Sequence, residues 1–190
     1  MHKSAVILSF SARKNGNCEQ ITNFIQTNTE CSVETYRFVD FFIRPCGSCQ
    51  YECFQDNLRC PHICDREFEL LDAISHCKIA YFIVLNYCDY PCANFFIFNE
   101  RSLCYFQNHQ DRLERYLKVP KRFVVVSNSR TESFREAFAQ HTHGEPEILW
   151  LSAKCYGKQS ISGDILDSNE AKKTCFISFK TKMRSICNIR

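Results

Sequence analysis

Near the start of the chain, residues 3–20 read KSAVILSFSARKNGNCEQ, in which a short apolar run leads into a polar loop and then into the beginning of a helix. Residues 3–9 predict a buried strand, because apolar side chains follow one another without alternation. Residues 19–28 predict a helix, since their apolar side chains recur at helical spacing. This strand–loop–helix unit is typical of an α/β fold.

The rest of the chain repeats this alternation. Four more strands are predicted at residues 32–38, 79–85, 122–126 and 148–151. Helices are predicted at residues 65–77, at 93–117, from a capping box of Ser129 and Glu132 to before His143, and at 169–187. Strands that alternate with helices pair in parallel. The sequence therefore predicts one domain over residues 1–190, a flavodoxin-like three-layer α/β sandwich with a five-stranded parallel sheet in the order 2-1-3-4-5 and helices on both faces.

Composition and charge narrow the class of protein. Hydrophobic residues make up 45% of the 190, which is enough for a full core and argues against disorder. The formal charge is 24 − 21 = +3 and the positive residues are spread out, so nucleic-acid binding is not predicted. The longest apolar stretch, residues 79–85, is too short to span a bilayer, and no secretory leader is recognisable. We therefore expect a cytoplasmic protein with no membrane partner.

The polar loop at residues 11–18 has the composition of an anion site. It lies between a strand and a helix N-terminus, where free backbone N–H groups and the helix dipole favour negative charge. Ser11 and Asn17 add hydrogen-bonding side chains. Arg13 adds a planar charged donor, and Gly16 lets the chain turn tightly. A plain strand–helix turn with polar capping residues accounts for the same spacing, so both interpretations stay open on spacing alone.

This loop resembles the Gly-Ser-x-Arg-x-x-Gly-Asn-Thr loop of the NADPH-dependent FMN reductase and iron–sulfur flavoprotein families. The matching residues are Ser11, Arg13, Gly16 and Asn17. Phe10 stands in place of the leading glycine, and Cys18 stands in place of the threonine. Because the family loop holds the FMN phosphate, the resemblance implies FMN as the cofactor and residues 11–18 as its phosphate loop, with Cys18 contributing its backbone N–H.

A second stretch, after the third predicted strand, is similar to the same families. Residues 85–94 read LNYCDYPCAN, which resembles the family's Pro-x-Tyr-Trp loop and the helix that follows it, ending in an Asp-Arg pair. The matching residues are Tyr87, Ala93 and Arg101, and the departures are Leu85 and Cys88. The resemblance implies that Asn86, Tyr87 and Cys88 lie beside the isoalloxazine ring.

Five of the 14 cysteines fall in one loop, residues 44–64, with the spacing C-x2-C-x3-C-x6-C-x3-C. In a reducing compartment this is not a disulfide scaffold. Resemblance to the iron–sulfur flavoproteins implies a four-iron cluster on Cys46, Cys49, Cys53 and Cys60. A zinc ion on four ligands drawn from these, Cys64 and His62 is a second interpretation. Free thiols packed in the loop are a third. Scattered cysteines such as Cys104 predict small buried hydrophobic residues.

Three functions follow from these features. The first is an FMN-dependent oxidoreductase that takes electrons from NADPH or NADH and passes them to a small acceptor, with no acid–base residue required. The second is an electron carrier with FMN and a cluster, reduced by a redox protein partner. The third is a flavodoxin-like binding module without flavin, which the departures from the family motifs favour. We also expect a homodimer, because residues 93–117 carry more aromatic side chains than one helix face buries, and related reductases build the flavin site at a dimer interface.

Overall fold

The structure is a computed structural model that describes residues 5–47, 49–56, 59–128 and 133–187, with side chains as far as Phe179. The strands are β1 (Ala5–Ser9), β2 (Val33–Arg37), β3 (Ile79–Tyr87), β4 (Tyr90–Pro91), β5 (Lys121–Ser127) and β6 (Glu147–Ser152). The α-helices are α1 (Asn17–Asn28), α2 (Glu67–Ser75), α3 (Ala93–Phe106), α4 (Gln110–Lys118), α5 (Phe134–Ala139) and α6 (Asn169–Cys187). Short 3₁₀ turns lie at Glu52–Phe54, Ala153–Tyr156 and Ile165–Asp167.

Five parallel strands form the sheet in the order β2-β1-β3-β5-β6. β4 is a two-residue strand that pairs antiparallel with the end of β3. With this small hairpin set aside, the order is the predicted 2-1-3-4-5, and the flavodoxin-like α/β fold is confirmed. Ser9 pairs with Ile83 and Leu85 pairs with Val126, so the carboxyl ends of β1, β3 and β5 meet at one edge of the sheet.

Alternate residues of each strand point to opposite faces of the sheet, and the two faces have different cores. Helices α1 and α6 cover one face, which is mostly aliphatic and includes Ile7, Ile21, Ile25, Ile83, Val124 and Leu151. Helices α2 to α5 cover the other face, which is rich in aromatic rings and includes Phe82, Phe95, Phe98, Phe123 and Phe138. Each buried phenylalanine contributes about 1.5–3 kcal/mol to stability. We call these the α1–α6 face and the α2–α5 face.

Most elements lie within two residues of the predicted bounds. One exception is the helix predicted to run to before His143, because α5 ends at Ala139. The other is the predicted helix over residues 93–117, which is wrong as a single helix because α3 ends at Phe106 and α4 begins at Gln110. Between them Asn108 has a left-handed backbone, with φ of 60°, and its side chain donates to the Phe54 carbonyl 2.8 Å away. The predicted capping box, Ser129 and Glu132, lies outside the described residues, as do Lys3 and Ser4.

The aromatic residues of α3 mostly pack inside the chain. Phe95, Phe98 and Tyr105 are buried in the core on the α2–α5 face, whereas Phe96 is 44% exposed. The aromatic face of the sheet accommodates these rings, so their number is no longer an argument for a partner surface. The homodimer therefore stays a prediction. Among the described helices, none combines the length and the apolar character needed to cross a membrane.

Candidate functional site

A cavity of ≈ 50 Å³ lies at the carboxyl edge of the sheet, beside the start of α1. It is lined by Ser11, Arg13, Gly16, Asn17, Cys18, Leu85, Asn86, Tyr87, Val126, Ser160 and Ile161. The fold thus brings seven of the eight predicted cofactor-binding residues to one place. The eighth, Cys88, is exposed nearby and does not line the cavity.

The start of α1 presents free backbone donors to this cavity. Gly16 is the N-cap, with an extended backbone, and its carbonyl accepts the first helical bonds from Glu19 and Gln20 at 3.1 Å each. Within the described part of the chain, the N–H groups of Asn17 and Cys18 have no protein acceptor, as expected for the first turn of a helix. These two amides and the helix dipole favour an anion here.

The turn before α1 is held by local hydrogen bonds. The Ser11 hydroxyl accepts from the Arg13 amide at 3.1 Å and donates to the Arg13 carbonyl at 3.3 Å. The Asn15 amide donates to the Glu19 carboxylate at 2.5 Å, and that carboxylate also accepts from Arg37 at 2.9 Å. A carboxylate thus already contacts one side of the loop, and the Arg37 guanidinium balances its charge.

A later part of the chain, residues 158–165, crosses over the loop at residues 11–18, and we call it the crossing segment. The Asn17 side chain donates to the Ser160 carbonyl at 2.8 Å and accepts from the Ile165 amide at 2.9 Å. Arg13 donates to the Ile161 carbonyl at 3.2 Å. The resemblance implied that Asn17 serves the phosphate. In this structure both ends of its amide instead hold the crossing segment.

Gly163 lets the crossing segment approach the loop closely. Its φ is +76°, and a Cβ atom on it would lie 3.0 Å from the Asn15 carbonyl oxygen. The segment is also tied to the end of β5, because the Ser160 amide donates to the Asn128 side chain at 2.8 Å. In the sequence, Gly157 and Gly163 are the two glycines of a mostly polar stretch, residues 156–168. Those glycines were the one available signal of a close approach.

The two departures from the family loop have structural reasons. Phe10 is fully buried, and its ring packs against the rings of Phe38, Phe82, Phe95 and Phe98 at centroid distances of 4.8–5.7 Å. Cys18 is also buried, and burial raises the pKa of its thiol. Both side chains therefore belong to the core, and the backbone of the loop remains at the cavity.

The predicted ring-side stretch forms a tight β-hairpin. Tyr87 pairs with Tyr90, and the two residues between them, Cys88 and Asp89, have φ of 50° and 66°. Two consecutive left-handed residues are typical of a type I′ turn. Tyr87 and Tyr90 are both exposed, at 58% and 61%, so the hairpin presents two phenol rings beside the cavity mouth.

Asn86 connects this hairpin to the end of β5. Its side-chain nitrogen donates to the Ser127 hydroxyl at 2.9 Å, and its side-chain oxygen accepts from the Asp89 amide at 2.9 Å. Asn86 therefore holds two loops in position at the edge of the cavity.

The cysteine loop does not show a metal site. Ser48, Asn57 and Leu58 lie outside the described residues. In the part that is described, no group of three or more Cys, His, Asp or Glu side chains is arranged to hold a metal ion. The predicted iron–sulfur cluster on Cys46, Cys49, Cys53 and Cys60 is therefore not supported, and neither is zinc. The reason is that the buried pair Cys53 and Cys60 packs against Cys104 of α3, while Cys46 and Cys49 lie nearer the surface.

Arg101 anchors the cysteine loop to α3. Its side chain is 1% exposed and donates to the Asp65 carboxylate at 2.7 Å and to the Arg44 carbonyl at 2.8 Å. It also reaches the His62 carbonyl at 3.4 Å and the Cys60 sulfur at 3.9 Å. The sequence indicated Arg101 only as part of a resemblance near the ring loop. Its partners lie in the cysteine loop instead.

Comparison with known proteins supports the fold. No protein-family model matches the sequence, and no curated protein matches it either. Three similar solved structures are the Trp repressor binding protein from Bacillus subtilis (TM-score 0.58, 11% identity, 91% of this chain and 96% of that one), the flavoenzyme NAD(P)H:(acceptor) oxidoreductase FerB from Paracoccus denitrificans (0.57, 12%, 96% and 98%) and the NADH:FMN oxidoreductase EmoB in its apo form (0.50, 11%, 93% and 89%). At these identities the likeness concerns the fold.

Proposed function

We propose that this chain is an FMN-dependent NAD(P)H oxidoreductase. The observation that carries the proposal is the ≈ 50 Å³ cavity at the start of α1, where backbone N–H groups, Ser11 and Arg13 converge at the carboxyl edge of a flavodoxin-like sheet. Two proteins with similar folds are described as an NAD(P)H:(acceptor) oxidoreductase and an NADH:FMN oxidoreductase, which supports the same class of reaction.

The residues present fit a flavin nucleotide in a specific way. Drug-sized ligands occupy pockets of about 300–1,000 Å³, so this cavity suits a phosphoryl group and not a whole flavin. The amides of Asn17 and Cys18 would hold the phosphate, and Arg13 would add a charge-assisted donor. The ring would then lie outside the cavity, where Asn86 and Tyr87 line its mouth. Bound FMN would supply the chemistry, by accepting electrons from a nicotinamide and passing them to a small acceptor.

The binding test separates the phosphate from the ring. FMN and riboflavin are each titrated into the full chain while flavin fluorescence is recorded, because riboflavin has the same ring and no phosphate. We expect FMN to bind with the higher affinity. Arg13→Ala should weaken FMN binding by about tenfold or more, since a hydrogen bond to a charged group is lost, and should leave riboflavin binding unchanged.

Arg115→Ala is the matched control, because Arg115 is an exposed arginine near the end of α4, which leads into the start of β5 at the opposite edge of the sheet from the cavity. It should change neither titration. Absence of saturable FMN binding, or equal affinities for FMN and riboflavin, would contradict the phosphate site.

The reaction test follows from the same proposal. The FMN-loaded protein is mixed anaerobically with NADPH or NADH, and the flavin absorption is followed. Bleaching by either nicotinamide supports the reductase. A flavin that binds but stays oxidised in both mixtures would argue against it.

A second function is favoured by the crossing segment. Because Asn17 and Arg13 already bond to this segment, the loop is also consistent with a flavodoxin-like binding module that holds no flavin. Protein that fails to quench FMN fluorescence would favour this module. The electron-carrier alternative with a redox protein partner has lost its main support, because it relied on the iron–sulfur cluster.

A homodimer remains part of the proposal. Phe96 and Leu103 of α3 are exposed at 44% and 56%, which leaves an apolar strip on that helix for a second copy of the chain. Light scattering at micromolar concentration tests this, and a monomeric mass would contradict it.

A further inference from the structure

Three buried thiols from distant parts of the chain meet beside α3. Cys53 and Cys60 come from the cysteine loop, Cys104 comes from α3, and all three are less than 10% exposed. The three side chains pack against one another in one buried cluster. Ile63 and Phe68 pack around this cluster, so its surroundings are mainly apolar. We call Cys53, Cys60 and Cys104 the thiol cluster.

The thiol cluster is also connected to a buried charge and to the surface. The Arg101 guanidinium reaches to 3.9 Å from the Cys60 sulfur, so this sulfur has a cationic N–H neighbour that the other two lack in the described structure. Cys46 and Cys49, which precede Cys53 in the same loop, are partly exposed. Three buried thiols in one cluster, with a guanidinium beside one of them, are well placed for thiol–disulfide chemistry.

We propose that Cys60 and Cys104 form a reversible disulfide that fastens the cysteine loop to α3, with a hydroperoxide as the oxidant. The Cys60 sulfur attacks one peroxide oxygen, the O–O bond breaks, and an alcohol or water leaves, so that Cys60 becomes a sulfenic acid. The Cys104 sulfur then attacks the Cys60 sulfur, the S–O bond breaks, and water leaves. The two thiols lose two electrons and two protons, and the peroxide is reduced. Cys53, which packs in the same buried cluster, takes the place of Cys60 when Cys60 is absent.

Peptide mapping of the full chain tests this. Trypsin cleaves after Arg59 and after Arg101, so Cys53, Cys60 and Cys104 fall on three separate peptides. The protein is treated with hydrogen peroxide, free thiols are alkylated, and the digest is analysed by mass spectrometry. We expect a linked Cys60–Cys104 peptide that disappears on reduction with dithiothreitol, with near-complete and parallel loss of the two alkylated peptides. The oxidised protein should also have a higher urea midpoint than the reduced protein.

Cysteine-to-serine variants show which thiols form the link. Cys60→Ser should shift the link to Cys53–Cys104, and Cys104→Ser should abolish any link to α3. Cys175→Ser is the matched control, because Cys175 is fully buried on the opposite face of the sheet, and it should leave the Cys60–Cys104 link intact. Since the main measurement uses the wild-type chain, it does not depend on the folding of any variant.

Two outcomes would overturn the proposal. In the first, Cys104 stays fully open to alkylation after unfolding while the exposed cysteines Cys64, Cys88 and Cys155 are oxidised. In the second, elemental analysis finds stoichiometric iron or zinc that must be chelated before Cys104 reacts.

Discussion

The two faces of the sheet are built from different chemistry. The α1–α6 face is packed with aliphatic side chains, and the loop at residues 11–18, which lines the cavity, lies at one end of it. The α2–α5 face buries aromatic rings together with ionisable side chains, namely Glu67, Arg101, Lys121 and His141. Aliphatic packing is non-directional, whereas every buried charge needs a specific partner. The stability of the α2–α5 face should therefore be far more sensitive to single polar substitutions and to pH.

The largest effect should come from Arg101. Replacing it with methionine fills similar volume but leaves the Asp65 carboxylate without its buried partner, at a cost of about 3–5 kcal/mol. The free energy of unfolding, measured by urea denaturation, should fall by this amount. Arg135→Met is the control, because Arg135 pairs with Glu145 at the surface and should cost about 1 kcal/mol or less. Similar losses of unfolding free energy for the two variants would contradict the prediction that a buried ion pair matters more to stability than an exposed one.

A second variant on the same face tests the buried carboxyl group of Glu67. Both carboxylate oxygens are buried without a hydrogen-bond partner among the described residues, and burial raises the pKa of Glu67 well above its usual value. A protonated Glu67 is close in shape and charge to glutamine. Glu67→Gln should therefore leave the unfolding free energy nearly unchanged, in contrast to Arg101→Met. A loss comparable with that of Arg101→Met would mean that Glu67 is ionised and paired.

The next effect is a dependence of stability on pH through His141. Burial, aided by the nearby Lys121 charge, lowers the pKa of His141 from 6.5 to about 3. Between these two values the unfolded chain binds more protons than the folded one. Stability from this group is therefore fully present above about 6.5 and is lost as the pH falls toward 3. We expect about 3 kcal/mol less unfolding free energy at pH 4 than at pH 7 from this residue alone.

Comparison with His141→Gln isolates that contribution. The variant gives up the hydrogen bond that joins the imidazole to the Tyr116 hydroxyl at 2.7 Å, so it should be less stable at neutral pH. Its unfolding free energy should also change much less between pH 4 and pH 6.5 than that of the wild-type protein. The measurement is a series of urea denaturations over that pH range, and parallel slopes in the two proteins would count against a neutral buried His141.

The two faces also differ in what the sequence could predict. Strands β3 and β5 are continuous apolar runs and α1 has clear helical spacing, so their positions follow from short stretches of sequence. The break between α3 and α4 does not follow from a short stretch of sequence, because it depends on Asn108 adopting a left-handed backbone and bonding to Phe54. Local spacing in that stretch still favours a helix.

The contacts of the functional regions were harder to predict, because their partners are far apart in the chain. Asn17 bonds to Ser160, 143 residues later. Cys60 packs against Cys104, which lies on α3 and outside the cysteine loop. The family-like motif identified the loop that lines the cavity but not the segment that crosses it. In the same way, the cysteine spacing indicated a cluster of thiols but could not include Cys104, which lies on α3.

The smallest predicted loss of stability belongs to the α1–α6 face and concerns Asn17. Replacing it with alanine leaves the Ser160 carbonyl and the buried Ile165 amide without their partner, at a cost of about 2 kcal/mol. Asn17→Asp is the informative second variant, because a carboxylate still accepts from the Ile165 amide but repels the Ser160 carbonyl. If the crossing segment is held as the structure indicates, both variants should expose residues 158–165 to faster amide hydrogen exchange, while α1 and β1 stay protected. Unchanged exchange in that segment would mean that Gly163 and Asn128 hold it without Asn17. The hydrogen bonds of Asn17 would then contribute nothing to the stability of the α1–α6 face.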